Sequence, residues 1–293
     1  MAPRESGEAL DASAEAMSEI LHGDAADMLG RYRGEATLLY ADPCFNTGDT
    51  FTTKDGSYAQ AGEVAFVDRF PSPDDFELYL RRLMAASRAA LADHGALVVH
   101  CDYRFQPLVR VIGDRLFSED PHEGLADQIV WNYRRWSVAH RRCNRVHDYL
   151  IRYVKDERIA RWTQLYQPLA ESTRATWGTK KQKAVIVAGE RQRSATGEEE
   201  SPGVPIGDVW SDIGIIAPSS KERTGYPTQK PEKLLERVLT ITTLPGDLVI
   251  DPTMGSGTTL VVAERMGRRS TGIDRSYVAV KVAGARLLGR PPR

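Results

Sequence analysis

Leu248-Val249-Ile250-Asp251-Pro252-Thr253-Met254-Gly255-Ser256-Gly257-Thr258-Thr259 decides how the rest of the chain is read. A short apolar run ending in an acid predicts a buried strand, and Thr258 to Met266, closed by Gly267, predicts a helix. The Gly-Ser-Gly turn between them lets backbone approach a ligand that side chains would block. Ser270-Thr271-Gly272-Ile273 predicts the next strand. Asp274 ends it, roughly twenty residues on, where such folds set an acid against ribose hydroxyls. Tyr277 to Leu288 predicts a last helix. The loop lacks the third glycine and the lysine of a phosphate cradle, which disfavours a pyrophosphate ligand.

Upstream, the same alternation recurs. Glu35 to Ala41 predicts a buried strand running into a turn at Asp42-Pro43, with Asn46-Thr47-Gly48 as further punctuation. Gly48 to Pro73 is polar and reads as a mobile loop over whatever Asp42 faces. Phe76, Tyr79, Leu80, Leu83 and Met84 fall at helical spacing; that helix is expected to stop at His94-Gly95, with a buried strand over Ala96 to His100. Pro107 to Phe117 predicts a helix, and Gln128 to Tyr133 a strand with Tyr149 to Val154 as its hairpin partner. The stretch 158–220 is polar and aperiodic and reads as an inserted module or long loops. Lys233 to Leu239 predicts a helix started by Pro231. Strands alternating with helices predict a doubly wound, mostly parallel sheet.

The chain has 293 residues, with 39 Lys and Arg against 40 Asp and Glu. That length can bury one large core. The near balance of charge gives no global argument for nucleic acid, so local clusters must carry it. Two exist: Arg134-Arg135-Trp136 with His140-Arg141-Arg142 and Arg145, and Lys180-Lys181-Gln182-Lys183 with Arg191 and Arg193. No apolar run has membrane-spanning length and Met1 to Leu21 has no signal core, which predicts a cytoplasmic protein. Cys44, Cys101 and Cys143 suit neither a disulfide framework nor a zinc site, and no metal is expected.

Taken together, Tyr226-Pro227-Thr228-Gln229-Lys230-Pro231, the Asp251 to Thr259 loop and Gly272-Ile273-Asp274 resemble the S-adenosylmethionine-binding half of the DNA amino-methyltransferases, in their permuted "beta" class. The catalytic half precedes the cofactor half in that class, as it does here. The resemblance runs from about His22 onward. Gly23-Asp24 is similar to the family's acid near the cofactor adenine, and Trp131 to Trp136 and His147-Asp148-Tyr149-Leu150 are similar to its later strands. Pro202-Gly203 through Asp208-Val209-Trp210 is similar to the end of its variable recognition segment. The resemblance implies a Rossmann-like, circularly permuted, seven-stranded sheet. It implies S-adenosylmethionine bound by Asp24, Lys230, Asp251, Pro252, Thr253, Met254, Gly255, Ser256, Gly257, Thr258, Thr259 and Asp274. The expected divisions are a disordered N-terminus (1–17), a catalytic half (18–157), a target-recognition insert (158–220) and a cofactor half (221–293).

The family's catalytic signature is Asp-Pro-Pro-Tyr or Asp-Pro-Pro-Phe; this chain has Asp42-Pro43-Cys44-Phe45. In the family's logic a flipped base gives the hydrogens of its amine to the Asp carboxylate and the first Pro carbonyl, while the aromatic ring stacks on it. Asp42, Pro43 and Phe45 supply all three. Cys44 permits another route. Pro43-Cys44 resembles the Pro-Cys pair of the cytosine C5-methyltransferases, whose thiolate adds to the ring and activates carbon 5. The reading leans to that covalent route, with His100, Asp102 and Arg135 as auxiliary candidates. The alternative is adenine-N6 or cytosine-N4 methylation without a covalent intermediate, and a third reading is an inactive DNA-binding relative. Double-stranded DNA is the expected partner, held by Arg134, Arg141, Arg142, Arg145, Lys180 and Lys181. A restriction endonuclease and a second copy of the chain are further candidate partners.

Overall fold

The computed structural model describes residues 17–133, 141, 143–188 and 190–289. The expected disorder of the N-terminus therefore falls, up to residue 16, outside the described residues. Met17 is already tied down, since its carbonyl accepts the Ser270 amide at 2.8 Å.

Eight strands form the main sheet in the order Ser18–His22, Arg269–Asp274, Leu248–Asp251, Ala36–Ala41, Leu91–Cys101, His147–Val154, Gly124–Asn132 and Val209–Trp210. The first five run parallel. His147–Val154 is antiparallel to both neighbours, and the two-residue Val209–Trp210 strand pairs parallel with Gly124–Asn132. The sheet is thus the seven-stranded one expected, with a short eighth strand added at its edge. From Ala36–Ala41 the chain crosses through the helix Pro73–Ala90 to Leu91–Cys101 on one side. From Leu248–Asp251 it crosses through Thr258–Arg265 to Arg269–Asp274 on the other. The winding reverses between two neighbouring strands, and in such sheets that point opens the ligand crevice.

Every residue of Ala36–Ala41 and of Leu248–Asp251 is buried, as a strand covered on both faces requires. Leu39, Ile250 and Ile273 face a layer made by Phe76, Leu80 and Met84 of Pro73–Ala90 and Val109 and Ile112 of the helix Gln106–Leu116. Leu38, Tyr40 and Val249 face the other layer, with Leu234, Leu235 and Val238 of Glu232–Thr242 and Val262 of Thr258–Arg265. Period-two alternation in the strands and a 3.6-residue stripe on the helices meet in both layers.

Several sequence readings need correction. The helix ends at Ala90 and the strand starts at Leu91, so Gly95 is not a helix stop. It lies inside the strand at a register break, where Ala36 pairs with Leu91 but Leu38 with Ala96, and a Cβ there would come within 2.6 Å of the Ala36 carbonyl. The 48–73 stretch is a built wall and not a free loop. Thr50–Thr52 pairs with Val64–Val67, and the Lys54 and Tyr58 amides donate to the Gly225 and Thr224 carbonyls at 2.8 and 3.0 Å. Ser18–His22 is an edge strand that the sequence reading did not contain. Within 158–220, Glu171–Trp177 is a helix, and Lys180–Val187 forms an antiparallel hairpin with Glu190–Glu200. Val209–Trp210 belongs to the main sheet instead, with Trp210 only 1% exposed.

Candidate active site

Asp42 and Asp251 follow or end the two neighbouring strands at the reversal point, at the same edge of the sheet. The loops after them are joined directly: the Asp42 amide donates to the Thr253 hydroxyl at 2.8 Å. Both line one cavity of about 570 Å³, with the 66–70 wall and the 226–230 segment as further sides.

On the cofactor-loop side, the Asp251 carboxylate accepts the Thr253 amide at 3.0 Å and the Thr259 hydroxyl at 2.5 Å. Its burial, then the nearby Asp42 and Asp274 charges, push its pKa up to about 7. Asp274 accepts the Gly255 amide at 2.9 Å and the Ser276 amide at 2.8 Å, so it holds the glycine turn in place. Burial raises its pKa as well. Each oxygen so engaged keeps a second lone pair for a hydroxyl group in the cavity. Asp24 caps the short helix Ala25–Met28 through the Ala26 amide and is ion-paired to Arg275 at the cavity mouth. Gly255 borders the cavity at φ 50°. Gly257 has a different reason to be glycine. It is the left-handed N-cap of Thr258–Arg265, and a Cβ on it would lie 2.7 Å from the Ala283 Cβ of the last helix. Its need is helix packing, whereas Pro252, Thr253, Met254, Ser256, Thr258 and Thr259 do border the cavity.

On the other side, Pro43, Cys44 and Phe45 border the cavity with Asp42. Phe45 rests on Phe105, with ring centroids 5.1 Å apart, and Lys230 lies over its ring at 5.5 Å. Lys230, expected at the cofactor, borders the same cavity, and its ammonium ion-pairs with Asp42 Oδ2. Asp42 Oδ1 is buried without a hydrogen-bond partner. Asp68, which the sequence reading missed, is 1% exposed and shapes the loop: it accepts the Asn46 amide at 2.7 Å, the Thr47 amide at 3.0 Å and the Thr47 hydroxyl at 2.8 Å. An acid inside the apolar run Phe66-Val67-Asp68-Arg69-Phe70 was the available signal. Tyr226, also missed as a site residue, is a buried wall of the same cavity.

The auxiliary candidates do not gather here. His100 is fully buried, with both ring nitrogens engaged by Tyr40 and Asp148. Asp102 binds the amide and guanidinium of Arg104. Neither borders the cavity. Arg134, Arg135 and Arg142 lie outside the described residues. Arg141 and Arg145 are exposed, the latter stacked on Tyr103 at 4.1 Å. Lys180 and Lys181 are ion-paired with Glu200 and Glu199, both at 2.7 Å, so much of that cluster's charge is answered within its own hairpin.

The profile of the N6/N4 DNA methylase family matches residues 36–284, which takes in both loops and the sheet between them. The chain belongs to that family. This DNA methylase is similar to the DNA adenine methyltransferase YhdJ of Escherichia coli (strain K12), 27% identical over 270 residues, 92% of this chain and 82% of that protein. Solved structures share its fold. M1.HpyAVI in complex with S-adenosylmethionine gives a TM-score of 0.56 at 21% identity, covering 92% of this chain and 98% of that one. The cytosine-N4-specific PvuII DNA methyltransferase gives 0.56 at 16%, covering 91% and 85%.

Membership corrects the lean to carbon 5, because the methyl acceptors that define this family are amino nitrogens. The surroundings of Cys44 agree. Burial first, then the charges of Asp68, Asp274 and Asp42, push its thiol up to about 12. A covalent route needs the thiolate, which an electronegative pocket disfavours.

Proposed function

We propose that this DNA methylase transfers the methyl group of S-adenosylmethionine to the N6 amino nitrogen of a flipped adenine in double-stranded DNA, with no covalent enzyme–base intermediate. The observation that carries this reading is Asp42, whose Oδ2 is held by Lys230 while Oδ1 is buried in the cavity wall without a donor. A buried acceptor left unmet costs on the order of 1–3 kcal/mol. An exocyclic amine is a donor of the right kind to meet it.

The lone pair of an aromatic amine is delocalised into its ring and is a poor nucleophile. Asp42 Oδ1 and the Pro43 carbonyl are two acceptors for the two N–H hydrogens, and that pairing draws the nitrogen toward a pyramidal geometry in which the lone pair is localised on it. Phe45 stacks on the base and fixes its height, since its own ring is braced by Phe105. Once the nitrogen is alkylated its proton is strongly acidic and leaves through Asp42. The cofactor half suits S-adenosylmethionine: Asp274 offers free lone pairs to ribose hydroxyls, and Asp24 borders the cavity beside it, ion-paired to Arg275. When bound, that cofactor supplies an electrophilic methyl on a sulfonium. Adenine is favoured over cytosine by the match to YhdJ across 92% of this chain, that relative being named an adenine methyltransferase.

The test is to methylate DNA, digest it to nucleosides and identify the product by mass spectrometry. N6-methyladenine is expected, with its rate lowered on the order of 10²-fold by Asp42→Asn while the Kd for S-adenosylmethionine changes by less than about threefold. N4-methylcytosine as the product would move the substrate to cytosine, and 5-methylcytosine would overturn the mechanism.

A further inference from the structure

Four side chains form one hydrogen-bonded chain beneath the base side of the cavity; Tyr40, His100 and Asp148 come from three adjacent strands, and Tyr133 directly follows a fourth, Gly124–Asn132. The Tyr40 hydroxyl meets His100 Nδ1 at 2.8 Å, and His100 Nε2 meets Asp148 Oδ2 at 3.2 Å. The Tyr133 hydroxyl donates to Asp148 Oδ1 at 3.1 Å. Tyr40, His100 and Tyr133 are 1%, 0% and 8% exposed, so water does not substitute for these partners. With a neutral imidazole one assignment satisfies the whole chain: Tyr40 O–H donates to Nδ1, Nε2–H donates to Asp148, and Tyr133 donates to the other carboxylate oxygen. All three donors then point toward the Asp148 charge.

Both ends of this chain bear on the catalytic loop. Tyr40 stands two residues before Asp42, so their side chains leave the strand direction on one face, and fixing the Tyr40 hydroxyl fixes the backbone that aims Asp42. The His100 ring lies 6.3 Å from the Phe45 ring, beside Phe105, and Trp131 packs edge-on against His100 at 5.7 Å. Phe45 thus rests on a bed whose orientation His100 sets. Nothing in the chain borders the cavity except Tyr40.

We propose that His100 and Asp148, held by Tyr40 and Tyr133, are positioning residues that lock Asp42 and Phe45 in the geometry needed to receive the flipped base. They act through Tyr40 and Phe45 and touch neither base nor cofactor. This proposal rests on the amino-methyltransferase reading for its kinetic consequence, though not for its proton arrangement.

Tyr133→Phe is the mildest probe, because it removes one hydroxyl at the end of the chain and keeps the ring; Asp148→Asn is the second. Imidazole nitrogen NMR of the protein alone should show His100 as the Nε2–H tautomer, and Asp148→Asn should change its ring-nitrogen shifts. An Nδ1–H tautomer, or shifts indifferent to Asp148, overturns the proposal whatever the enzyme's substrate. In methylation assays the turnover rate should fall about tenfold in either variant while KM for DNA and Kd for S-adenosylmethionine stay within about twofold. DNA carrying 2-aminopurine at the target should show weaker stacking of the flipped base. Turnover within twofold of wild type, or a loss matched by weaker cofactor binding, refutes the positioning role. A wild-type enzyme that makes no amino-methylated product refutes the functional reading instead, and the NMR result still decides the proton chain.

Discussion

Cys44→Ala separates the two chemistries that the catalytic loop permits. The thiol is pushed up to about 12, mainly by burial and then by three neighbouring carboxylates. At pH 7, five units lower, on the order of one molecule in 10⁵ would carry the thiolate, the form that attacks a ring carbon. The Lys230 ammonium does not reverse this, since it is bound to Asp42. An amino-methyltransferase does not need the thiol at all. Cys44→Ala should therefore keep N-methylated product within about threefold of wild type, with a stability loss of roughly 1 kcal/mol for the missing sulfur. The assay is nucleoside mass spectrometry on DNA treated with each protein, together with a denaturing gel of reactions on 5-fluorocytosine DNA, which traps covalent adducts. A trapped adduct, or 5-methylcytosine that disappears in the variant, would refute the reasoning about the thiol and with it the noncovalent mechanism.

Asp251 makes stability depend on pH. Burial, then Asp42 and Asp274, lift its folded pKa from the ordinary 3.8 to about 7. Below about pH 4 both folded and unfolded chains hold the proton; as the pH climbs to 7 only the unfolded chain gives it up, and stability is lost. Asp251→Asn removes this dependence, so melting curves should favour the variant increasingly from pH 4 to 7 and level off above; a constant difference would contradict the raised pKa. Gly257→Ala should cost about 2 kcal/mol or more in denaturant unfolding, from left-handed backbone and from crowding against Ala283. A loss under about 0.5 kcal/mol would show that the last helix shifts freely. Arg145→Ala should reduce the slope of log Kd for DNA against log salt by about 0.9, while Lys181→Ala, already paired with Glu199, should change it less. Equal effects from the two would remove the distinction between free and answered charge.

Most of the fold was written in local patterns. The buried runs Ala36–Ala41 and Leu248–Asp251, the stripe of Phe76, Leu80, Leu83 and Met84, and the strand-turn-helix unit around Gly255 each depend on residues within a few turns of one another. Errors came where a distant partner overrode the local signal. Gly95 has the look of a helix stop but answers to the Ala36 carbonyl across a strand pair. The polar 48–73 stretch looks mobile, yet its amides are met by carbonyls of Thr224 and Gly225, far along the chain.

The candidate site divides in the same way. The two loops were legible through their resemblance to the DNA amino-methyltransferases, and short motifs suffice to carry it because a carboxylate beside Pro and an aromatic, and a Gly-Ser-Gly turn after an acid, are short-range chemical requirements. That Asp42 and Asp251 share one crevice was an inference from permuted order, and the adjacency of their strands supplies the physical reason. What only the tertiary structure decided is the state of the groups. Cys44 reads from sequence as a nucleophile, but its ionisation depends on Asp68, Asp274 and Asp42, which burial brings around it. Lys230 reads as a cofactor ligand, and its pairing with Asp42, 188 residues away along the chain, is set by the fold. Charge and desolvation act through space and not along the backbone, so a sequence can name the reacting groups while the fold alone sets which of them are charged, paired or free.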